Sequence, residues 1–100
     1  MVETTAIPRK NPASSSRTIE GQAVIALSDQ ARIHILNDVG TRVWNLIDGR
    51  RSFEEIVSLV AGQLAESDYE GVPQDLASDI EEFLESMTEN GMIAMGTPER

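Results

Sequence analysis

The sequence predicts an α+β fold: a three-stranded antiparallel β-meander followed by a three-helix bundle. Three observations lead there. Residues 17–36 hold short apolar runs separated by two turn signals, the hydrophobic period lengthens after Asn37, and cap and stop residues then divide the remainder into three helical segments. A chain of 100 residues with 40% hydrophobic and 25% charged residues is one domain's worth of ordinary globular composition.

Residues 1–16 contain Pro8, Pro12 and the run Ser14, Ser15, Ser16, too poor in apolar groups to pack, and are expected as a flexible N-terminal arm. The folded unit is expected over 17–95, with 96–100 as a C-terminal tail. Arg17, Thr18 and Ile19 lead into Glu20 and Gly21, a tight turn, and Gln22 to Leu27 returns from it as the second arm of a hairpin. After a second turn at Ser28 to Gln30, the stretch Ala31 to Leu36 alternates. Ile33 and Ile35 share one face, and Arg32 and His34 share the other, which reads as the polar side.

Asn37 suits an N-cap, and Val39, Val43, Trp44 and Ile47 then form one helical stripe that Asp48 and Gly49 stop. Ser52 to Glu55 is a capping box ahead of Phe53, Ile56, Val57, Val60 and Leu64. Pro73 suits the first turn of a third helix, whose apolar face is Leu76, Ile80, Phe83, Leu84 and Met87; Asn90 and Gly91 end it, and Met92 to Met95 follow as extended chain.

Charge and composition exclude much. The net charge is −9, and its distribution is uneven: residues 51–100 carry twelve acids against Arg51 and Arg100. Such a field removes the counterion-release advantage on which nucleic-acid binding depends, so no nucleic-acid partner is expected. No apolar run is long enough for a membrane span and the first ten residues lack signal-peptide order, so a cytoplasmic protein without a membrane partner is expected. With no cysteine and the single histidine His34, neither a thiolate metal site nor a Cys/His nucleophile pair can form.

Catalysis has no residues to stand on. The pairs Glu54/Glu55 and Glu81/Glu82 point about 100° apart on a helix and cannot converge on one proton. Asp75/Asp79 and Glu81/Glu85 share a face but lack the additional ligands a cation requires. No phosphate loop or nucleophile elbow is present, so the expectation is a chain that is not an enzyme and takes no cofactor or metal. Trp44 and Phe53 sit at core spacing and read as packing residues. His34 reads as an ordinary surface group that could still hydrogen-bond a partner laid along its strand.

In a meander the last strand, Ala31 to Leu36, is an edge unless the arm covers it, and an edge is a template for an added strand. The stripe Leu76, Ile80, Phe83, Leu84 and Met87 is broad enough to serve both the core and a groove beside that edge, although periodicity alone also allows every one of these residues to be core. The same edge could pair with a second copy, giving a homodimer.

The run from Ile35 to Val57 resembles the PqqD family, also called the RiPP recognition element. The features are a strand ending in Leu36 and Asn37, then Gly40, Trp44, Asp48 with Gly49, and Glu55 with Ile56. Gly21 to Val24 resembles the family's Gly-Glu-Ala-Val hairpin with Gln22 in place of glutamate, Val39 stands where threonine is frequent, and the linker from Glu66 to Val72 is long and acidic. Asp79 to Ile93 resembles the closing helix, so the likeness spans about residues 17–93. It implies a winged-helix-like domain without catalytic activity that binds the leader of a ribosomally made precursor peptide by β-strand addition and presents it to a peptide-modifying enzyme, often a radical SAM enzyme. In that family the leader lies between the third strand and the third helix. Carried onto this chain, the peptide-binding residues are Ala31, Arg32, Ile33, His34, Ile35 and Leu36 with Leu76, Asp79, Ile80, Glu82, Phe83, Leu84 and Met87. Ile80, Phe83 and Leu84 would then receive apolar leader side chains, and Asp79 and Glu82 would favour a basic group.

Two rivals remain at the level of sequence. A winged-helix nucleic-acid or transcription module is opposed by the third helical segment, which has six carboxylates and neither Lys nor Arg between Pro73 and Asn90. A structural subunit of an enzyme complex would keep the protein partner but have no affinity for a free leader.

Overall fold

The computed structural model describes residues 5–27, 33–66 and 75–96. In chain order the elements are β1 (Ile7–Lys10), β2 (Ser14–Ile19), β3 (Gln22–Leu27), β4 (Ile33–Ile35), α1 (Asp38–Leu46), α2 (Phe53–Glu66), α3 (Leu76–Glu89) and β5 (Ile93–Gly96). The expected meander is the antiparallel sheet β2-β3-β4, and the expected helices follow it. A second sheet was not foreseen: β1 pairs with β5, from Ile7 opposite Gly96 to Lys10 opposite Ile93.

That second sheet draws in part of the segment expected to be a loose arm. Pro8 is buried, the amide of Phe53 donates to the carbonyl of Ala6 at 2.7 Å, and the amide of Asn11 donates to the carbonyl of Met92 at 2.9 Å. Asn11 then builds the corner into β2: its Nδ2 donates to the Gly91 carbonyl at 2.8 Å, and its own carbonyl accepts from the amide of Ser14 at 2.9 Å. Met92 and Ile93 supply the apolar surface that β1 lacks, at 0% and 4% exposure. Main-chain pairing and a partner distant in sequence, rather than local hydrophobicity, make β1 a strand.

The hairpin turn is as expected. Glu20 and Gly21 both have positive φ, 52° and 83°, the two-residue geometry whose twist matches the flanking strands. Asn37 caps α1 by accepting from the Gly40 amide at 2.8 Å, and Ser52 and Glu55 exchange the reciprocal capping bonds at 3.0 and 3.3 Å. The α3 helix starts at Leu76 with Asp75 before it; Pro73 and the Ser28 to Gln30 turn lie outside the described residues.

One core joins the layers. Ala23, Ile25 and Leu27 from β3 meet Val43, Trp44 and Ile47, then Phe53, Ile56, Val60 and Leu64 of α2, then Leu76, Ile80, Leu84 and Met87 of α3. Thr41 is the polar residue buried with them. Its Oγ1 accepts from the Ala23 amide at 2.9 Å and donates to the Leu36 carbonyl at 3.4 Å, which ties the start of β3 and the end of β4 to α1. No helix among the described residues is long and apolar enough to cross a membrane.

Candidate peptide-binding edge

β4 is the outer strand of its sheet. It pairs with β3 through Val24 opposite Ile35, Ile25 opposite His34 and Ala26 opposite Ile33, and no described strand pairs with its other side. Continuing that register, Leu36 faces Ala23, and the Leu36 amide donates to the Ala23 carbonyl at 2.9 Å. Antiparallel pairs alternate between residues that exchange bonds and residues that do not. His34, two residues from Leu36, therefore turns its amide and carbonyl toward Ile25. Ile33 and Ile35 turn theirs to the open side, where another backbone can meet them.

The side chains correct the sequence-based assignment of faces. Ile33 and Ile35, placed by alternation on the apolar side, are each 67% exposed, whereas His34, placed on the polar side, is half-buried. His34 stands opposite Ile25, which is fully buried, so it shares the helix-covered face of the sheet. Its Nε2 is sealed from solvent and has no hydrogen-bond partner among the described residues. The period-two pattern was visible in the sequence, but which half of it faces the helices depends on β3, whose core-facing residues are Ala23, Ile25 and Leu27.

The outer face of the sheet was missed. Arg17, Val24, Ala26 and Ile33, with Ser15 and Ser16, line a shallow depression of about 280 Å³, and Ile19 is 51% exposed on the same side. A signal was present: β3 reads Ala-Val-Ile-Ala-Leu, apolar on both faces, as is usual for a strand covered on both sides. The helices cover one of them.

On α3 the candidate residues separate. Leu76, Ile80, Leu84 and Met87 are buried in the core at 4%, 0%, 0% and 3% exposure. Phe83 is half-buried and packs where β4 turns into α1, since a Cβ placed on Gly40 would lie 3.2 Å from Phe83 Cε1 and 3.4 Å from Leu36 Cβ. Asp79 and Glu82 are exposed on the same helix. The structure thus brings Leu36 and Phe83 together around Gly40 and keeps the other apolar α3 residues inside. Ala31 and Arg32 lie outside the described residues.

Electrostatically, the α1–α2 loop is organised around Asp48. Asp48 accepts from the amides of Arg51 and Arg50 at 2.9 Å each and pairs with the Arg51 guanidinium at 3.4 Å; these contacts, the backbone bonds foremost, hold its carboxyl below the usual carboxylate range.

Residues 22–93 match the profile of the family described as coenzyme PQQ synthesis protein D (PqqD). The fold is similar to that of TbiB1 in complex with the TbiA(beta) leader peptide, with a TM-score of 0.72 and 21% identity, covering 91% of this chain and 99% of that one. It is also similar to lasso peptide synthetase B1 complexed with the leader peptide, with a TM-score of 0.65 and 27% identity, covering 87% of this chain and 96% of that one. No curated protein matches.

Proposed function

The chain belongs to the PqqD family, and from that premise we propose that it is a non-catalytic module that binds the leader of a ribosomally made precursor peptide and presents it to a peptide-modifying enzyme. The observation that carries this reading is the open edge of β4, where the amides and carbonyls of Ile33 and Ile35 face away from β3 while β1 and β5 satisfy each other elsewhere. An extended leader adds to that edge as a fourth strand. Its side chains alternate between two environments. One set lies beside Ile33 and Ile35 on the outer face, and the other points toward His34 and Phe83, with Asp79 and Glu82 on the same helix favouring a basic leader residue.

Both structural relatives are described with a leader peptide bound, which supports the choice of ligand. The receiving enzyme is, on the resemblance already drawn, often a radical SAM enzyme. Nucleic-acid binding is disfavoured because α3 presents Asp79, Glu82 and Glu89 to solvent and carries no basic residue.

Two proline substitutions test the reading. Ile35→Pro removes an amide that points to the open side, so the domain stays folded and loses the leader; His34→Pro removes an amide facing β3 and destabilises the sheet itself. The measurement is titration with leader peptides of ribosomally made precursors, followed by calorimetry. Unchanged affinity in a folded Ile35→Pro protein refutes strand addition.

A further inference from the structure

A second surface lies apart from the β4 edge. Four of the eight Lys and Arg residues of the chain, Arg9, Lys10, Arg50 and Arg51, gather where β1 passes the α1–α2 loop. Two adjoining depressions there, of about 370 and 320 Å³, share Arg9 and Gly49; the first is completed by Lys10, Ile47 and Asp48, the second by Ile7 and Arg50. Gly49 makes the approach possible. Its φ is +78°, and a Cβ there would stand 3.2 Å from the Arg9 guanidinium.

The four cations differ in what they leave free. Arg51 is held by Asp48 and by the Leu46 carbonyl at 3.1 Å, and the Lys10 ammonium lies 4.6 Å from the centre of the Trp44 ring. Arg9 and Arg50 are exposed, and neither has a carboxylate partner among the described residues. In a chain of net charge −9 this is a local reversal of sign.

We propose that Arg9 and Arg50, flanked by Lys10 and Arg51, dock an acidic polypeptide segment of the enzyme that receives the leader. The identity of the partner rests on the function proposed above; the chemistry of the surface does not. Carboxylates suit it because guanidinium groups take them in paired, charge-assisted hydrogen bonds. Location suits it too: β4 leads into the N-terminus of α1, and this loop leaves its C-terminus nine residues later, about 13 Å away along the helix axis. A module that holds a leader at one end of α1 thus keeps a separate grip for its enzyme at the other. A nucleic acid fits less well, because beyond this small patch a long polyanion meets the field of a chain whose net charge is −9.

The test is titration of the isotope-labelled protein at low salt with a short poly-glutamate peptide and, separately, with a short DNA duplex. The expected result is salt-sensitive movement of the Arg9, Lys10, Gly49 and Arg50 amides with Ile33 and Ile35 unmoved, and affinity about tenfold weaker in the Arg9→Glu/Arg50→Glu protein, as loss of two charge-assisted contacts implies. Diffuse shifts, or equal affinity in the double variant, overturn the proposal, and so does tighter binding of the duplex at the same amides. The two readings fail separately: leader titration of the double variant reports on the β4 edge alone and is expected to be unchanged.

Discussion

Phe83 of α3 lies against Gly40 of α1 so closely that a Cβ at Gly40 would come within 3.2 Å of Phe83 Cε1 and 3.1 Å of the Asn37 Oδ1 that caps the helix. The contact sets the spacing between the end of β4 and the third helix. Gly40→Val would have to displace both the cap and the ring, and overpacking of this kind costs about 1–3 kcal/mol, more than the small gain in helix propensity over glycine returns. The expected outcome is a lower denaturation midpoint together with weaker leader binding, measured by urea titration and calorimetry.

Phe83→Ala separates those two effects. The ring is only half-buried, so the stability loss is expected to fall below the roughly 3–5 kcal/mol typical of a fully buried phenylalanine. Leader affinity is expected to fall about tenfold or more, as for removal of an aromatic anchor at an interface. Ile80→Ala is the contrasting variant: Ile80 is fully buried, so its effect appears in stability.

Much of this was legible in the sequence where the determining signal is local. The turn at Glu20 and Gly21, the Asn37 cap, the Ser52–Glu55 box and the Gly91 stop each depend on residues within four positions of one another. What was not legible depends on partners far away in the chain. β1 is a strand because Ile93–Gly96 lies beside it, and Ile33 and Ile35 face solvent because His34 stands opposite Ile25. The α3 stripe was correctly periodic. Periodicity gives the direction of a side chain and not the width of the cover over it, so it could not separate Phe83, at the margin, from Ile80 and Leu84, which have no exposure.

Thr41 joins three elements through one hydroxyl. Thr41→Val keeps the shape but leaves the Ala23 amide without its acceptor inside the core, at a cost of about 1–3 kcal/mol for a buried unsatisfied donor. Thr41→Ser retains the hydroxyl and should recover most of that loss. Amide exchange at Ala23 is the direct measurement: it is expected to accelerate in Thr41→Val and stay slow in Thr41→Ser.

The Asp48 carboxylate orders the α1–α2 loop through the Arg51 and Arg50 amides, and these bonds favour its ionised form. Its pKa is lower folded than unfolded, so the charge contributes stability at pH values above the unfolded pKa, and that contribution disappears as pH falls through the folded one. Asp48→Asn preserves a side-chain acceptor and removes the charge. The variant is therefore expected to melt slightly below the parent at neutral pH, with the gap closing in acid as the parent carboxylate becomes protonated. A gap that stays constant across that range would mean the charge contributes nothing.

His34 holds Nε2 away from solvent and without a hydrogen-bond partner among the described residues, which costs about 1–3 kcal/mol relative to a satisfied group. His34→Phe keeps a planar ring of similar outline and removes the polar atom, and aromatic residues suit a strand position facing a core. Stability is expected to rise by about 1 kcal/mol, within the range of that penalty. Leader binding by strand addition uses the backbone of Ile33 and Ile35, so its main-chain component should survive the exchange. If His34→Phe is stabilised and the leader is nevertheless lost, the imidazole itself contacts the peptide, and the inward-facing side of the added strand carries specificity as well as the outer one.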